Sequence, residues 1–310
     1  MKIAFVFPGQ GSQAVGMLDA WAQDATVSGT LEQAGKALGQ DLSSLISGGP
    51  AEELNLTTNT QPVMLASAVA MYRAWIAAGG MTPHWVAGHS LGEYSALTAA
   101  GSLELADAVK LVRIRADAMQ QAVPVGQGGM AAVLGLDDDA VRQVCADAAQ
   151  GEIVEAVNYN APAQVVIAGH KAAVERACEL AKQAGAKRAL VLPVSAPFHS
   201  SLLKPAADKL AEALAGIELN PPAVPLVNNV DVASTNNAAS IKDALVRQAW
   251  NPVRWVETIQ FMKSQGVTHV VECGPGKVLS GLLKRIDRDL VGLSISDPES
   301  LRSTLETLKG

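Results

Sequence analysis

The order of apolar and polar positions along the first third of the chain predicts strands that alternate with helices. Residues 3–7 are all apolar, as in a strand covered on both faces, and the turn-rich residues 8–12 follow. A helix is predicted to follow Pro62 and to continue to about residue 78, and residues 85–88 then form a short strand that ends in glycine. From residue 91 to about 101 the pattern is helical again. This alternation predicts a parallel α/β fold.

The segment from residue 126 to 194 has a different pattern, βαββαβ, which is the ferredoxin-like order. The predicted strands are 130–134, 153–158, 164–168 and 188–194, with helices from Asp137 and from about Lys171. After this segment the larger pattern returns, with a helix over 205–216, strands over 224–227 and 269–272, and a helix from about Val278. We therefore predict a discontinuous core domain, residues 1–125 and 196–310, with an inserted subdomain at residues 126–195.

The composition indicates a compact soluble protein. The 310 residues are 49% hydrophobic and 17% charged, and the net charge of −6 argues against sequence-independent binding to nucleic acid. Three cysteines without CxxC spacing imply neither a disulfide framework nor a zinc site, so we expect a reducing cytoplasm. Residues 3–7 are too short for a signal-peptide core, and we expect no membrane-spanning segment.

The pentapeptide Gly88-His89-Ser90-Leu91-Gly92 is the first candidate for chemistry. Its position between a predicted strand and a predicted helix is that of a nucleophile elbow, in which glycines allow a strained turn and the serine Oγ stands at the helix N-terminus. The alternative is a tight turn in which the serine is incidental.

A serine nucleophile needs a base, so the five histidines are the candidates. His89 should leave the turn in another direction, His84 precedes the strand at its opposite end, His170 lies in the inserted segment, and His269 leads a buried strand. His199 is placed where the chain re-enters the core, at an expected crevice between domains. Its alternative role is that of a loop histidine held by neighbouring backbone.

The helix predicted from Glu104 to Ala122 separates two arginines. Arg113 falls on the polar face, whereas Arg115 falls on the apolar arc, and a buried guanidinium must find an anion. Arg115 therefore either binds a substrate carboxylate, forms a structural ion pair, or covers apolar surface with its stem while its head reaches water.

The turn after the first strand, residues 8–12, should lie at the same sheet edge as Ser90 if the sheet is parallel. The lysine and the spacing of a P-loop are missing, which leaves a cradle for an oxyanion, with Gln10 as one donor, or a simple turn.

Taken together, these motifs resemble those of the malonyl-CoA:acyl carrier protein transacylases of bacterial fatty-acid synthesis, from end to end of the chain. The matching stretches are Phe7-Pro8-Gly9-Gln10-Gly11-Ser12-Gln13, Thr60-Gln61-Pro62, Gly88-His89-Ser90-Leu91-Gly92-Glu93-Tyr94, Arg115, Gly128-Gly129-Met130, Val157-Asn158-Tyr159-Asn160, Pro197-Phe198-His199-Ser200, Asn228-Asn229-Val230 and Gly274-Pro275-Gly276.

The resemblance implies an α/β-hydrolase-like core with an inserted ferredoxin-like subdomain. It also assigns roles to matching positions: Ser90 as nucleophile, His199 as base, and Arg115 as the partner of the malonyl carboxylate. The main-chain N–H groups of Gln10 and Leu91 would form the oxyanion hole.

The same resemblance implies supporting residues around these three. A backbone carbonyl, that of Gln248, would orient the histidine in place of an acid. His89 and Asn160 would lie near the acyl group, and the ring of Phe198 would leave little room for an α-methyl branch. Ala161 departs from the family, where many members carry serine.

The implied reaction is a ping-pong transfer of malonyl from malonyl-CoA to acyl carrier protein, with no cofactor and no metal. A serine hydrolase and a catalytically silent binding module are the two alternatives. Because carrier proteins of this family are acidic, we expect a local basic face. Its candidates are Lys187, Arg188, Lys204, Lys284, Arg285 and Arg288.

Overall fold

A computed structural model describes residues 1–194 and 196–309; Ser195 and Gly310, which end two predicted segments, lie outside the described residues. The strands are β1 Ile3–Phe7, β2 Trp85–Gly88, β3 Gly128–Leu134, β4 Val154–Ala161, β5 Gln164–His170, β6 Arg188–Val191, β7 Leu226–Val227, β8 His269–Cys273 and β9 Val291–Ile295. The helices are α1 Ala25–Leu38, α2 Leu42–Gly48, α3 Ala51–Leu54, α4 Thr57–Ala77, α5 Gly92–Ala99, α6 Leu105–Gln121, α7 Asp138–Ala149, α8 Lys171–Gln183, α9 Lys204–Ala215, α10 Ala238–Gln248, α11 Trp255–Ser264, α12 Val278–Ile286 and α13 Pro298–Lys309.

The larger sheet has five parallel strands in the order β7-β2-β1-β8-β9. The central strand β1 is buried on both faces: Ile3, Phe5 and Phe7 join one apolar cluster, while Ala4 and Val6 join another on the opposite side. A strand with two buried faces has no polar alternation, which explains its unbroken apolar run. The predicted parallel α/β fold is confirmed.

The smaller sheet is antiparallel, in the order β4-β5-β3-β6. Its elements follow one another as β3-α7-β4-β5-α8-β6, and an apolar core of their own lies between sheet and helices. Two backbone hydrogen bonds tie β4 to the rest of the chain: Tyr159 N donates to Val253 O at 3.0 Å, and Val253 N donates to Val157 O at 2.8 Å. The division of the chain at residues 126 and 195 stays a prediction.

The helix predicted after Pro62 in fact begins at Thr57, so its predicted start was wrong. Proline removes the N–H that would bond to the Thr58 carbonyl one turn earlier. Arg113 Nε donates to that carbonyl at 2.6 Å, which satisfies the group that proline leaves unpaired. A hydrogen bond from α6, which is distant in sequence but packs against α4, thus allows a proline inside α4.

Two strands are shorter than predicted. β6 ends at Val191 and not at residue 194, and β7 comprises only Leu226–Val227. Proline has no N–H for a strand ladder, and Pro193 and Pro225 lie just outside these strands.

α4, the longest helix at 21 residues, is buried around most of its circumference. It packs between α1, α5 and α6 on the side of the sheet that Phe5 and Phe7 face. In the described part of the chain, no helix is both long and apolar enough to cross a membrane.

Candidate active site

The turn between β2 and α5 presents Ser90 in a left-handed backbone conformation, with φ of 54°. Its flanking glycines are required by close backbone contact. A Cβ on Gly88 would lie 1.9 Å from the Gly92 carbonyl, and one on Gly92 would lie 2.1 Å from Phe7 O. Strand, turn and helix can therefore approach one another only with glycine at both positions, as in a nucleophile elbow.

His199 lies beside Ser90 although 109 residues separate them in the chain. Its Nε2 is 2.6 Å from Ser90 Oγ, and its Nδ1 is 2.8 Å from the main-chain oxygen of Gln248. A carbonyl can only accept, so Nδ1 carries the proton and donates to it, which leaves Nε2 to accept from the serine hydroxyl. The geometry suits a general base.

The protonation state of His199 is set by burial and by a neighbouring cation. The residue is 3% exposed. Burial, and next the charge of Arg115, lower the pKa of His199 to about 3. The imidazole is therefore neutral at physiological pH and able to take a proton.

Arg115, on α6, is 2% exposed, as its place on the apolar arc predicted. Its Nη1 donates to Gln61 Oε1 at 2.8 Å, and its Nη2 donates to Ser90 Oγ and to Gln248 Oε1, both at 3.1 Å. Within residues 1–194 and 196–309 it forms no salt bridge with a carboxylate. Among those residues it is therefore neither in direct contact with a carboxylate nor exposed to water, and its three hydrogen-bonding partners, Gln61, Ser90 and Gln248, are neutral groups.

The main-chain N–H groups of Gln10 and Leu91 lie at the same edge of the sheet. Phe7 and Gly88 are paired in register, and each candidate donor follows three residues later. Neither N–H donates to an acceptor in the described part of the chain, whereas the N–H of Ser90 is bound to Asn229 Oδ1 at 2.8 Å. Two donors thus remain available at the edge that carries the serine, as an oxyanion hole needs.

His89 and Asn160 are brought together by the structure, with 2.7 Å between His89 Nε2 and Asn160 Oδ1. The ring of His89 also meets the edge of Trp255 at 5.5 Å between centroids. Burial lowers the pKa of His89. Phe198 is 7% exposed and directly precedes His199. Their predicted roles near the acyl group stay predictions.

The chain is similar to known acyltransferases over most of its length. The acyl transferase domain family matches residues 4–290. The malonyl CoA-acyl carrier protein transacylase of Escherichia coli (strain K12) is 56% identical over 306 residues, which cover 98% of this chain and 99% of that protein. The chain belongs to the malonyl CoA-acyl carrier protein transacylase family. It is therefore an acyltransferase, and the resemblance inferred from the motifs is confirmed.

Solved structures of this family agree with the fold in detail. The acyl-carrier-protein S-malonyltransferase of Burkholderia pseudomallei 1710b is 67% identical, with a TM-score of 0.98 over 99% of this chain and 100% of that one. A malonyl-transacylase solved in complex with a type II PKS acyl-carrier protein is 52% identical, with a TM-score of 0.98 over 99% of this chain and 100% of that one.

Three residues of the site were given no role by the sequence reasoning: Gln61, Glu93 and Asn229. Asn229 binds the main chain at two points of the turn. Its Oδ1 accepts from Ser90 N at 2.8 Å, and its Nδ2 donates to Gly88 O at 2.7 Å. Asn229 follows β7, the strand next to β2, so its position at the same sheet edge as Gln10 could have been predicted from the sequence. Glu93 stands out as an acid in an otherwise uncharged helix, α5.

Proposed function

We propose that this chain transfers a malonyl group from malonyl-CoA to the phosphopantetheine thiol of acyl carrier protein, through a malonyl ester on Ser90. The observation that carries the proposal is the position of Ser90 Oγ, which lies 2.6 Å from His199 Nε2 and 3.1 Å from Arg115 Nη2. One oxygen thus has a base on one side and a carboxylate-binding cation on the other. The relatives' names, which combine malonyl CoA with acyl carrier protein, support the same substrates.

In the first half-reaction, Ser90 Oγ attacks the thioester carbonyl while His199 Nε2 takes its proton. The carbonyl oxygen becomes negative and accepts hydrogen bonds from the Gln10 and Leu91 N–H groups. The C–S bond then breaks, the CoA sulfur takes the proton from His199, and malonyl-Ser90 remains.

The second half-reaction reverses the roles of serine and thiol. The carrier thiol gives its proton to His199 and attacks the ester carbonyl, and Ser90 Oγ leaves with that proton. A thioester replaces a thioester, so the exchange needs neither ATP nor a cofactor.

Arg115 supports selection of a malonyl group over an acetyl group. Because its protein partners are neutral, a substrate carboxylate would be the direct counterion of a buried cation, bound bidentately as arginine allows. An acetyl group offers no such charge. The ring of Phe198 supports exclusion of an α-methyl branch.

The acceptor protein would meet the surface around the site. All six predicted basic residues, Lys187, Arg188, Lys204, Lys284, Arg285 and Arg288, are exposed. Arg285 also donates to Pro162 O at 3.3 Å, and Lys204 Nζ lies 5.4 Å from the centroid of the Trp250 ring. Their contact with an acidic carrier stays a prediction.

The proposal is tested by mixing the protein with malonyl-CoA and measuring its intact mass. We expect one malonyl adduct, absent in Ser90→Ala and lost when holo acyl carrier protein is added. A serine hydrolase has the same elbow but would lose the adduct rapidly to water. If no adduct formed, the chain would be a binding module and the proposed transfer would be wrong.

A further inference from the structure

The side chain of Gln248 connects the main groups of the site. Its Oε1 accepts from Arg115 Nη2 at 3.1 Å, and its Nε2 donates to the main-chain oxygen of Ser90 at 2.9 Å. Its own main-chain oxygen holds His199. One residue, 0% exposed, therefore touches the candidate nucleophile, the candidate base and the cation.

The same amide leads to a buried carboxylate. Gln248 Nε2 also donates to Glu93 Oε2 at 3.1 Å, and the main-chain N–H of Asn229 donates to that oxygen at 2.9 Å. The amide of Gln248 thus accepts from Arg115 at one end and donates to Glu93 at the other. Such an arrangement is an ion pair bridged by an amide, and in a low dielectric its hydrogen bonds polarise one another.

We propose that Glu93 is a positioning residue of the transfer reaction: its carboxylate holds Gln248 and Asn229 around the Ser90 turn and balances the charge of Arg115 until a substrate carboxylate binds. The inference rests on the proposed function, because it takes that carboxylate to be the malonyl group's. Glu93 is 1% exposed and would not reach the acyl group itself.

The charges around Glu93 support this balance. Burial lowers the pKa of Arg115, and Tyr94 and Glu93 oppose that shift. Burial raises the pKa of Glu93 to about 7, while Asn229, Gln248 and Arg115 counteract it. Asp231 is a further charged neighbour that raises the pKa of Glu93, and it accepts two hydrogen bonds of 2.7 Å from Arg247.

A substrate carboxylate at Arg115 would place two anions around one cation. Like charges disfavour each other, so an ionised Glu93 weakens malonyl binding and a protonated Glu93 relieves the repulsion. Malonyl binding should therefore tighten as the pH falls through about 7. Acetyl-CoA carries no such carboxylate and should not respond, although it shares every titration of CoA itself.

Glu93→Gln tests the role because it keeps the size and an acceptor oxygen but removes the charge. Glu272→Gln is the matched control: Glu272 is also 1% exposed, and it accepts from Leu279 N at 3.0 Å and Ser280 N at 2.7 Å, outside the site. The readout is the half-saturating concentration of malonyl-CoA and of acetyl-CoA for acylation of Ser90, followed by quenched intact mass between about pH 6 and 8.5.

For wild type and Glu272→Gln we expect the half-saturating concentration of malonyl-CoA to rise with pH relative to that of acetyl-CoA. For Glu93→Gln we expect a flat ratio and, at pH 8, half-saturation at roughly tenfold lower malonyl-CoA, from the loss of one nearby charge. An unchanged value and an unchanged pH slope in Glu93→Gln would overturn the inference, leaving Glu93 a hydrogen-bonding group only.

If Glu93→Gln did not fold, the wild-type ratio of malonyl-CoA to acetyl-CoA half-saturation decides alone. A ratio that did not change with pH would overturn the inference. Absence of a malonyl adduct on wild-type Ser90 would instead contradict the proposed function, so the two failures are distinguishable.

Discussion

Replacement of Arg115 by alanine is the most direct perturbation of substrate choice. The change removes three hydrogen bonds, to Gln61, Ser90 and Gln248, and the buried positive charge. It leaves His199 and the main-chain oxygen of Gln248 in place. Acyl transfer should therefore persist, while the preference among acyl groups should change.

The size of the effect follows from the burial of the cation. Breaking one partner of a buried, hydrogen-bonded charge pair costs about 3 to 5 kcal/mol. At about 1.4 kcal/mol for each factor of ten, the kcat/KM for malonyl-CoA should fall by roughly two to three and a half orders of magnitude. Acetyl-CoA has no carboxylate to pair with Arg115, so its kcat/KM should change much less and the preference for malonyl-CoA should be lost.

The assay is competition between malonyl-CoA and acetyl-CoA for transfer to holo acyl carrier protein. Arg113→Ala is the matched control, because Arg113 lies on the same helix but donates to Thr58 O, at 2.6 Å, and to Gln40 and Asn59 rather than to Ser90. We expect the control to keep the malonyl preference. If Arg115→Ala still favoured malonyl, the carboxylate role of Arg115 would be refuted.

Two further predictions concern the turn and the base. Gly92→Ala would place a Cβ 2.1 Å from Phe7 O and should yield little folded protein. Gly281 lies in a helix, and a Cβ there would have nothing within 4 Å, so Gly281→Ala should raise the free energy of unfolding by about 0.5 to 1 kcal/mol. Thermal unfolding of both variants measures the two effects. The pKa of His199 is depressed to about 3 in the folded protein, so between that value and about 6.5 the unfolded chain binds more protons at this residue. The contribution of His199 to stability is therefore present above about pH 6.5 and is lost as the pH falls. His199→Asn should therefore lose less stability than wild type between pH 6.5 and 4 in chemical denaturation, and an equal loss would contradict the depressed pKa.

The elements of the fold could be predicted where local pattern and tertiary packing agree. The unbroken apolar run of β1 identified a doubly covered strand, and the phase of α6 separated Arg115 from Arg113. The start of α4 could not be predicted, because the Thr58 carbonyl that Pro62 leaves without a helical partner is bound by Arg113, which lies 55 residues away in the chain. Local sequence carries no information on that contact.

The candidate site divides in the same way. Ser90 and its glycines are a local motif, so sequence alone could locate the turn. The pairing of Ser90 with His199 and the buried contact of Arg115 with Gln61 depend on the fold, and from the residues alone their alternatives stayed open. Glu93 belongs to the stretch Gly88–Tyr94 that carries the resemblance, but its proposed role depends on a contact with Gln248, which lies 155 residues further along the chain.

The acceptor of the His199 Nδ1 proton is a neutral carbonyl, which suits a site that also contains the buried cation Arg115. An aspartate in that position, as in a serine protease triad, would place an anion near the buried guanidinium and compete for it with a substrate carboxylate. The Gln248 carbonyl orients the imidazole through Nδ1 without supplying a charge. Burial, and next the charge of Arg115, lower the pKa of His199 and so keep the base unprotonated. If Arg115 binds the malonyl carboxylate as proposed, a variant that introduced an acid next to His199 Nδ1 should lose malonyl preference before it lost acyl transfer.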